Sequence, residues 1–424
     1  MPLAASGQLT LGEIAAEFGG SVPHALSEYY DKGNAPASGE INISDFHGTS
    51  DAPAAFGTEA VFNSGVTLHI DIAYDPNNAN KFVAVYRDQG NSWYGTAIVG
   101  TISGTTITYG SEYVFNSGST YYNSISFDPN DSDKFVVAFR DYSNSKYGTA
   151  MVGTISGTSI SFGSEYVFNS ASTEYTSISF DPNTSGSFVV AYRDGGNSNY
   201  GTAIVGTVSG TTISYGSEYA FNTGTYYTSA SFDPNNANKF VVAYRDDGNS
   251  YYGTAIVGTV SGTSLSFGSE YVFNSASTLN NEISFDPNDS GKFVVSYADA
   301  GHATYGTGTA IVGTVSGTSL SFGSEYVWYE YNNSECHVCF NPNTAGEFML
   351  SYRDSGNSSY GTAMKGTVSG TAISYGTAIV YNTGSTSYQS ISADPNTTDK
   401  FVIGYADVGN SYYGTAIVGD FSVI

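Results

Sequence analysis

Basic side chains are scarce in this chain: 13 Lys and Arg stand against 38 Asp and Glu, a formal charge of −25 at pH 7. That balance lacks the phosphate-neutralising charge of a nucleic-acid reader and disfavours anionic membrane surfaces. It suits solubility and divalent or high-salt surroundings. Cysteine is nearly absent, and Cys336 and Cys339 leave no second pair to complete a zinc site. Because Val338 and Phe340 match Ile125 and Phe127 of another repeat, the two thiols are predicted on opposite faces of one strand, with a structural role. The five His are scattered, without Ser-His-Asp or paired-ligand spacing, so neither an enzyme nor a cofactor is expected. No apolar run reaches transmembrane length, which predicts no membrane insertion. Met1-Pro2-Leu3-Ala4-Ala5-Ser6 lacks the basic start and apolar core of a signal peptide, so synthesis in a cytoplasm is expected.

What is present is a repeat. An Asx-Pro-Asn turn occurs seven times, starting at Asp75, Asp128, Asp181, Asp233, Asp286, Asn341 and Asp394, at spacings of 53, 53, 52, 53, 55 and 53 residues. A period of this length means stacked supersecondary units. Each unit holds four short runs rich in Val, Ile, Tyr, Phe, Thr and Ser between turn residues, the pattern of four antiparallel strands. In the fourth unit these are residues 227–232, 240–245, 253–260 and 264–273.

The ends of the repeat region are complementary. It opens at residues 56–63 with a copy of the fourth run and closes at residues 415–419 with a copy of the third. A linear array needs polar caps rather than matching halves of one sheet. The predicted fold is therefore all-β: a seven-bladed β-propeller of four-stranded antiparallel blades over residues 55–424. Its amino-terminal strand, residues 55–63, completes the blade of residues 387–422. A small helical and irregular module, residues 1–54, precedes it. There Thr10 and Glu13 form a capping box, Leu11, Ile14, Ala15 and Phe18 make an apolar stripe, and Gly19-Gly20 supplies a stop. The predicted helix over 11–18 is too short to stand alone, which makes Leu11, Ile14 and Phe18 candidates for docking on a partner protein.

Repetition sorts the candidate residues, since a residue found in every unit is most simply a part of blade geometry. All five Arg share one repeat position, each followed by Asp. They suit either strand-end pairs beside an Asx turn or a carboxylate-binding cluster. Periodic Glu residues such as Glu112 and Glu270 carry no catalytic signal, although a glycosidase needs only two carboxylates. Departures from the repeat point elsewhere. Trp93, Tyr251 and Tyr412 stand where other units have Lys146, Asn199, Thr304 and Ser359. The loop holding His302 and Tyr305 is two residues longer than its equivalents. Trp328, Tyr329, Glu330 and Tyr331 stand in place of the usual Phe-Asn-Ser sequence. All are expected on one face, where aromatic rings beside Asn, Ser and Asp suit sugars or else fill a blade junction.

The repeat Tyr252-Gly253-Thr254-Ala255-Ile256-Val257-Gly258 with Phe267-Gly268-Ser269-Glu270-Tyr271-Val272-Phe273-Asn274 resembles repeats in tail-fibre-like proteins of tailed, largely marine and cyanobacterial, bacteriophages. The segment Leu11-Gly12-Glu13-Ile14-Ala15-Ala16-Glu17-Phe18, with Ile43-Ser44-Asp45-Phe46-His47-Gly48, is similar to the amino-terminal segment of such proteins. The resemblance implies a virion component concerned with host attachment. Residues 1–54 would engage other virion proteins, and the repeats would meet a host surface glycan or protein. A decorating role and a glycan depolymerase are the alternatives.

Overall fold

The computed structural model describes residues 10–18, 55–301, 306–331 and 335–424. Contacts divide the chain into two units, Met1–Ala55 and Phe56–Ser422.

In the first unit a helix spans Leu11–Phe18. Its capping box is formed: Glu13 N donates to Thr10 Oγ1 (3.2 Å) and Thr10 N donates to Glu13 Oε2 (2.7 Å), which satisfies backbone donors that a helix start leaves free. Ile14 is fully buried and Phe18 is 8% exposed, so both are covered within the chain. The Leu11 side chain lies outside the described residues. Among the described residues no helix is long and apolar enough to cross a membrane.

The second unit is almost wholly antiparallel β. In the fourth repeat, Thr225–Phe232 pairs with Lys239–Asp246, and that strand pairs with Tyr252–Ser261. The latter pairs in turn with the first half of Ser264–Phe285. Asp233 makes the first reversal, its Oδ1 accepting from Asn235 N (2.9 Å), an Asx turn that explains the recurrent Asx-Pro-Asn. The predicted short runs merge in one respect: the fourth strand of a repeat continues into the first strand of the next. Ser264–Phe285 spans 22 residues, and Ala60–Tyr74, Tyr113–Phe127 and Ile379–Ala393 span 15 each. The connection stays extended because its Asn holds its own backbone, as where Ala276 N donates to Asn274 Oδ1 (2.6 Å).

Adjacent repeats are joined by three recurring sets of bonds. First-strand N–H groups without a ladder partner donate to serines of the preceding repeat: Ile178 N to Ser124 Oγ (3.2 Å), Phe180 N to Ser126 Oγ (3.2 Å), Ala230 N to Ser177 Oγ (3.0 Å). Asn130 and Asn235 amides donate to Pro182 and Pro287 carbonyls of the following repeat. Glu270 accepts from Tyr244 of its own repeat and from Asn222 of the one before.

The last repeat meets the first through the same bonds. Ile72 N and Tyr74 N donate to Ser390 and Ser392 Oγ (both 3.1 Å), Asn396 donates to the Pro76 carbonyl (2.9 Å), and Glu59 accepts from Tyr405 and Asn382. Ala60–Tyr74 pairs in its first half with Tyr413–Asp420.

The core follows the same plan: each of seven clusters draws on two repeats, and one of them joins Phe82 and Tyr86 to Val402 and Val418. Burial of one large apolar side chain contributes about 1.5–3 kcal/mol, and most of it is realised only between repeats. Inside a repeat, the second-strand Phe lies over a third-strand Gly. A Cβ on Gly258 would come 2.1 Å from Phe240 Cζ, a ring that is itself fully buried. Gly258→Ala should therefore destabilise by about 1–3 kcal/mol through overpacking, read as a lower urea midpoint at unchanged slope.

Candidate functional site

The strand ends that carry the Arg-Asp pairs form one face. There the periodic residues are tied together. Asp194 Oδ1 accepts from Gly196 N (2.9 Å) and Asp246 Oδ1 from Gly248 N (2.9 Å), the expected Asx turns. Glu174 bridges two repeats by pairing with both Arg140 and Arg193. Arg193 and Arg245 stack on Tyr226, at 3.9 and 4.5 Å from its ring centroid. Arg87, Arg140, Arg193 and Arg245 thus brace neighbouring repeats and are engaged by groups of this chain.

The predicted aromatic residues divide in two. Trp93, Tyr251 and Tyr412 occupy the same turn in three repeats, all in the left-handed region (φ 68°, 65° and 63°). Arg87 lies 4.0 Å over Trp93. Tyr251 is 50% and Tyr412 41% exposed. His302 and Tyr305 lie outside the described residues. Tyr331 is 63% exposed, but Trp328 and Tyr329 are core, 7% and 9% exposed, which corrects the expectation that they offer a binding surface.

The reason is substitution within the repeat plan. Trp328 packs over Gly308 as Phe273 packs over Gly253. Tyr329 takes the place of the connecting Asn, its hydroxyl donating to Asp354 Oδ1 (2.6 Å) where Asn169 Nδ2 donates to Asp194 (3.0 Å). Tyr142, 49% exposed, was not singled out from the sequence, although it too departs from the repeat, standing where other units have Gln89, Gly195 or Asp247.

A cavity of about 330 Å³ opens among the first strands, lined by residues of all seven repeats. Its rim comes from a feature that periodicity does not announce. Each of six first strands carries a β-bulge, and the bulged residue, His69, Tyr122, Tyr175, Tyr227, Asn280 or Tyr388, adopts φ of 50–53°. Such a conformation is uncommon for a bulky residue, and bulges re-aim side chains. The rings form an arc: Tyr388–His69 5.1 Å, His69–Tyr122 5.6 Å, Tyr122–Tyr175 5.0 Å, Tyr175–Tyr227 5.1 Å. Asn280 and Glu335 complete the rim with polar groups. The sequence signal was a ring-bearing residue six positions before the turn Asp, alternating with no simple hydrophobic pattern.

Two residues further along each first strand, most repeats place a Ser, but Asp71, Glu282 and His337 replace it in three. They line a second space of about 190 Å³ that shares walls with the first. Asp71 accepts from Ile125 N (2.9 Å) and Ser390 Oγ (2.7 Å); Glu282 accepts from Ser229 Oγ (3.0 Å) and lies 3.7 Å from His337 Nδ1. Glu282 retains 35% of its side-chain surface, open to this interior space.

Burial pushes Glu282 up to about 8, with Asp71 adding to the effect. It pushes Asp71 up to about 6 against its hydrogen bonds, and Glu335 up to about 7. Burial also lowers His337 to about 4 and, with Arg87 and Arg140, His69 to about 3. Glu282 and His337 therefore meet as neutral groups near pH 7.

Neither Cys is in a disulfide, and the alternating burial of Cys336–Phe340 puts them on opposite faces. Burial raises the Cys339 thiol. Among the described residues no group of three or more His, Cys, Asp or Glu is placed to hold a metal ion. No protein-family model matches the chain, and comparison with curated proteins returns no match.

These shifts set a pH dependence. An acid raised in the folded state stabilises fully below its ordinary value and loses that contribution as pH rises through the folded one; for Glu282 the window is 4.5 to about 8. The two lowered histidines contribute fully above 6.5 and lose it only on acidification. Between pH 6.5 and 8 the carboxyls therefore dominate, and the melting temperature should fall across that interval. Glu282→Gln should remove most of the fall, measured by thermal unfolding at both pH values.

Proposed function

We propose that this chain is a binding component of a bacteriophage particle, a seven-bladed β-propeller that meets a host surface glycan or protein through the face carrying the Arg-Asp turns. The ring is supported by the bonds of the last repeat to the first, which repeat those between consecutive units, and by the pairing of Ala60–Tyr74 with Tyr413–Asp420. The observation that carries the binding role is the one-sided distribution of aromatic surface. Among the described residues the exposed aromatic side chains are Tyr142, Tyr251, Tyr331 and Tyr412. Tyr142 and Tyr251 follow Arg-Asp strand ends, Tyr412 follows the equivalent Ala406-Asp407 and Tyr331 follows Trp328-Tyr329 in the place of Phe-Asn, and none is at the Asx-Pro-Asn end. Tyrosine supplies large amphipathic contact area at low entropic cost, which suits recognition. The virion setting rests on the resemblance of the repeat and of residues 11–48 to phage tail-fibre-like proteins, with residues 1–54 as the attachment to other virion proteins.

A second reading, glycan cleavage, is favoured by one observation: Asp71 and Glu282 share the interior cavity, and the Asp71 charge helps to raise Glu282. Release of reducing ends from host polysaccharide, lost in Glu282→Gln, would replace the binding role by it.

The leading reading predicts saturable binding of the labelled full chain to intact host cells. Tyr251→Asn, Tyr331→Ala and Tyr412→Asn combined should weaken it at least tenfold, the Asn choices keeping a turn that Asn199 already makes with φ 66°. Unchanged binding by the triple variant would sink the assignment of this face. Deleting residues 2–50 should abolish incorporation into particles and leave cell binding intact.

A further inference from the structure

We infer that the cavity among the first strands is a binding site for a neutral, polyhydroxylated small molecule of the monosaccharide class. The first observation is a set of buried polar groups that find no partner within the protein. Asn281 is 2% exposed, and both its Oδ1 and its Nδ2 are unpaired; Gln389 Oε1, Asn123 Oδ1 and the Thr176 and Thr228 hydroxyls are also unpaired, on residues 1–8% exposed. All five residues line this one cavity, and they come from five different repeats. A buried unpaired polar group costs about 1–3 kcal/mol, and native proteins leave few of them without a reason. Here they gather at a single level, offering donors and acceptors together.

The second observation is independent. The bulges set the arc of Tyr388, His69, Tyr122, Tyr175 and Tyr227 one residue before that level in each strand, in a left-handed backbone conformation that is uncommon for bulky residues. Rings above and amide and hydroxyl groups below match a molecule with an apolar face and hydroxyls that both donate and accept.

Charge and size narrow the class. Asp71, the wall carboxyl that stays ionised near pH 7 because it is pushed up only to about 6, opposes an anion. Arg87 and Arg140, whose charge is felt at His69, oppose a cation at the rim. A volume of about 330 Å³ stands at the lower end of ligand pockets, which start near 300 Å³, so a single sugar ring fits the space better than a chain. The polar floor of this site is formed by other residues than the exposed tyrosines, although Arg245 lies over both Tyr227 of the rim and Tyr251, and the inference does not depend on the virion reading.

The test uses the full chain and four probes, D-glucose, D-galactose, D-mannose and N-acetyl-D-glucosamine, each titrated to about 50 mM, enough to saturate a site of millimolar affinity. Binding is followed by saturation-transfer NMR, with D-glucuronate and D-glucosamine as charged counterparts. At least one neutral sugar should bind saturably, and its charged counterparts at least about tenfold more weakly. Asn281→Leu should weaken binding about tenfold or more while the melting temperature holds or rises, because it removes an amide whose atoms are unpaired in the protein. Tyr175→Asn should weaken it similarly with the bulge intact, since Asn280 takes the same conformation at the equivalent position. Tyr251→Asn with Tyr331→Ala should leave sugar binding unchanged, whatever it does to cell binding. If Asn281→Leu lowers the melting temperature, Tyr175→Asn alone decides. No saturable binding by any of the four sugars, wild-type affinity in Tyr175→Asn, or equal affinity for the charged counterparts would overturn the inference.

Discussion

The spare edge of the first strand governs this structure. Each first strand gives one edge to its neighbour in the repeat and has backbone donors left on the other, groups that cannot be buried unpaired without cost. Serine hydroxyls of the preceding repeat accept from them, at Ser124, Ser126, Ser177 and Ser179, and Ser390 and Ser392 do so for the first repeat. A small side chain with a single acceptor fits because the strands are close. The bond is also mutual in its consequence: no repeat satisfies its own first strand, so each needs the one before it. The shared apolar clusters add the larger energy, but they are less particular about register than a hydrogen bond of about 3 Å.

The same constraint shapes the interior. Where Asp71 replaces a serine it keeps the serine's task, accepting from Ile125 N, and adds a titratable group to a confined space. Glu282 is longer and reaches sideways to Ser229 Oγ instead. Three substitutions at one repeat position thus turn a belt of hydroxyls into an asymmetric chamber while the backbone stays regular. Tyr329 is a parallel case on the face, where a larger residue inherits an Asn's bond to the turn aspartate. Departures from the repeat therefore fall into those that preserve a structural bond and those that leave a side chain in solvent, as at Tyr251 and Tyr331.

That distinction marks how far the sequence could be read. The Asx turns, the bracing role of the Arg-Asp pairs and the opposed faces of Cys336 and Cys339 follow from local chemistry and period-2 geometry, and each is found. Trp328 and Tyr329 looked like surface because they break the repeat; whether a substitution is absorbed into the core depends on the glycine and aspartate opposite it, which sit on other strands. The bulged residues escaped notice for a related reason: His69, Tyr122 and Tyr388 differ in type, and the unusual backbone they share is a property of strand pairing.

The sequence by itself determined the number and length of the repeats, the all-β class, the turns that punctuate them and the matched partial strands at the two ends, because these rest on short-range propensities and on a period that can be counted. Only the tertiary structure decided which aromatic residues are exposed, that residues of all seven repeats line a common cavity, and that Asn281 and Gln389 are buried there with amide atoms unpaired. Those outcomes depend on contacts between residues about 53 positions apart or more, and the energy that selects them is realised only when neighbouring repeats close on one another.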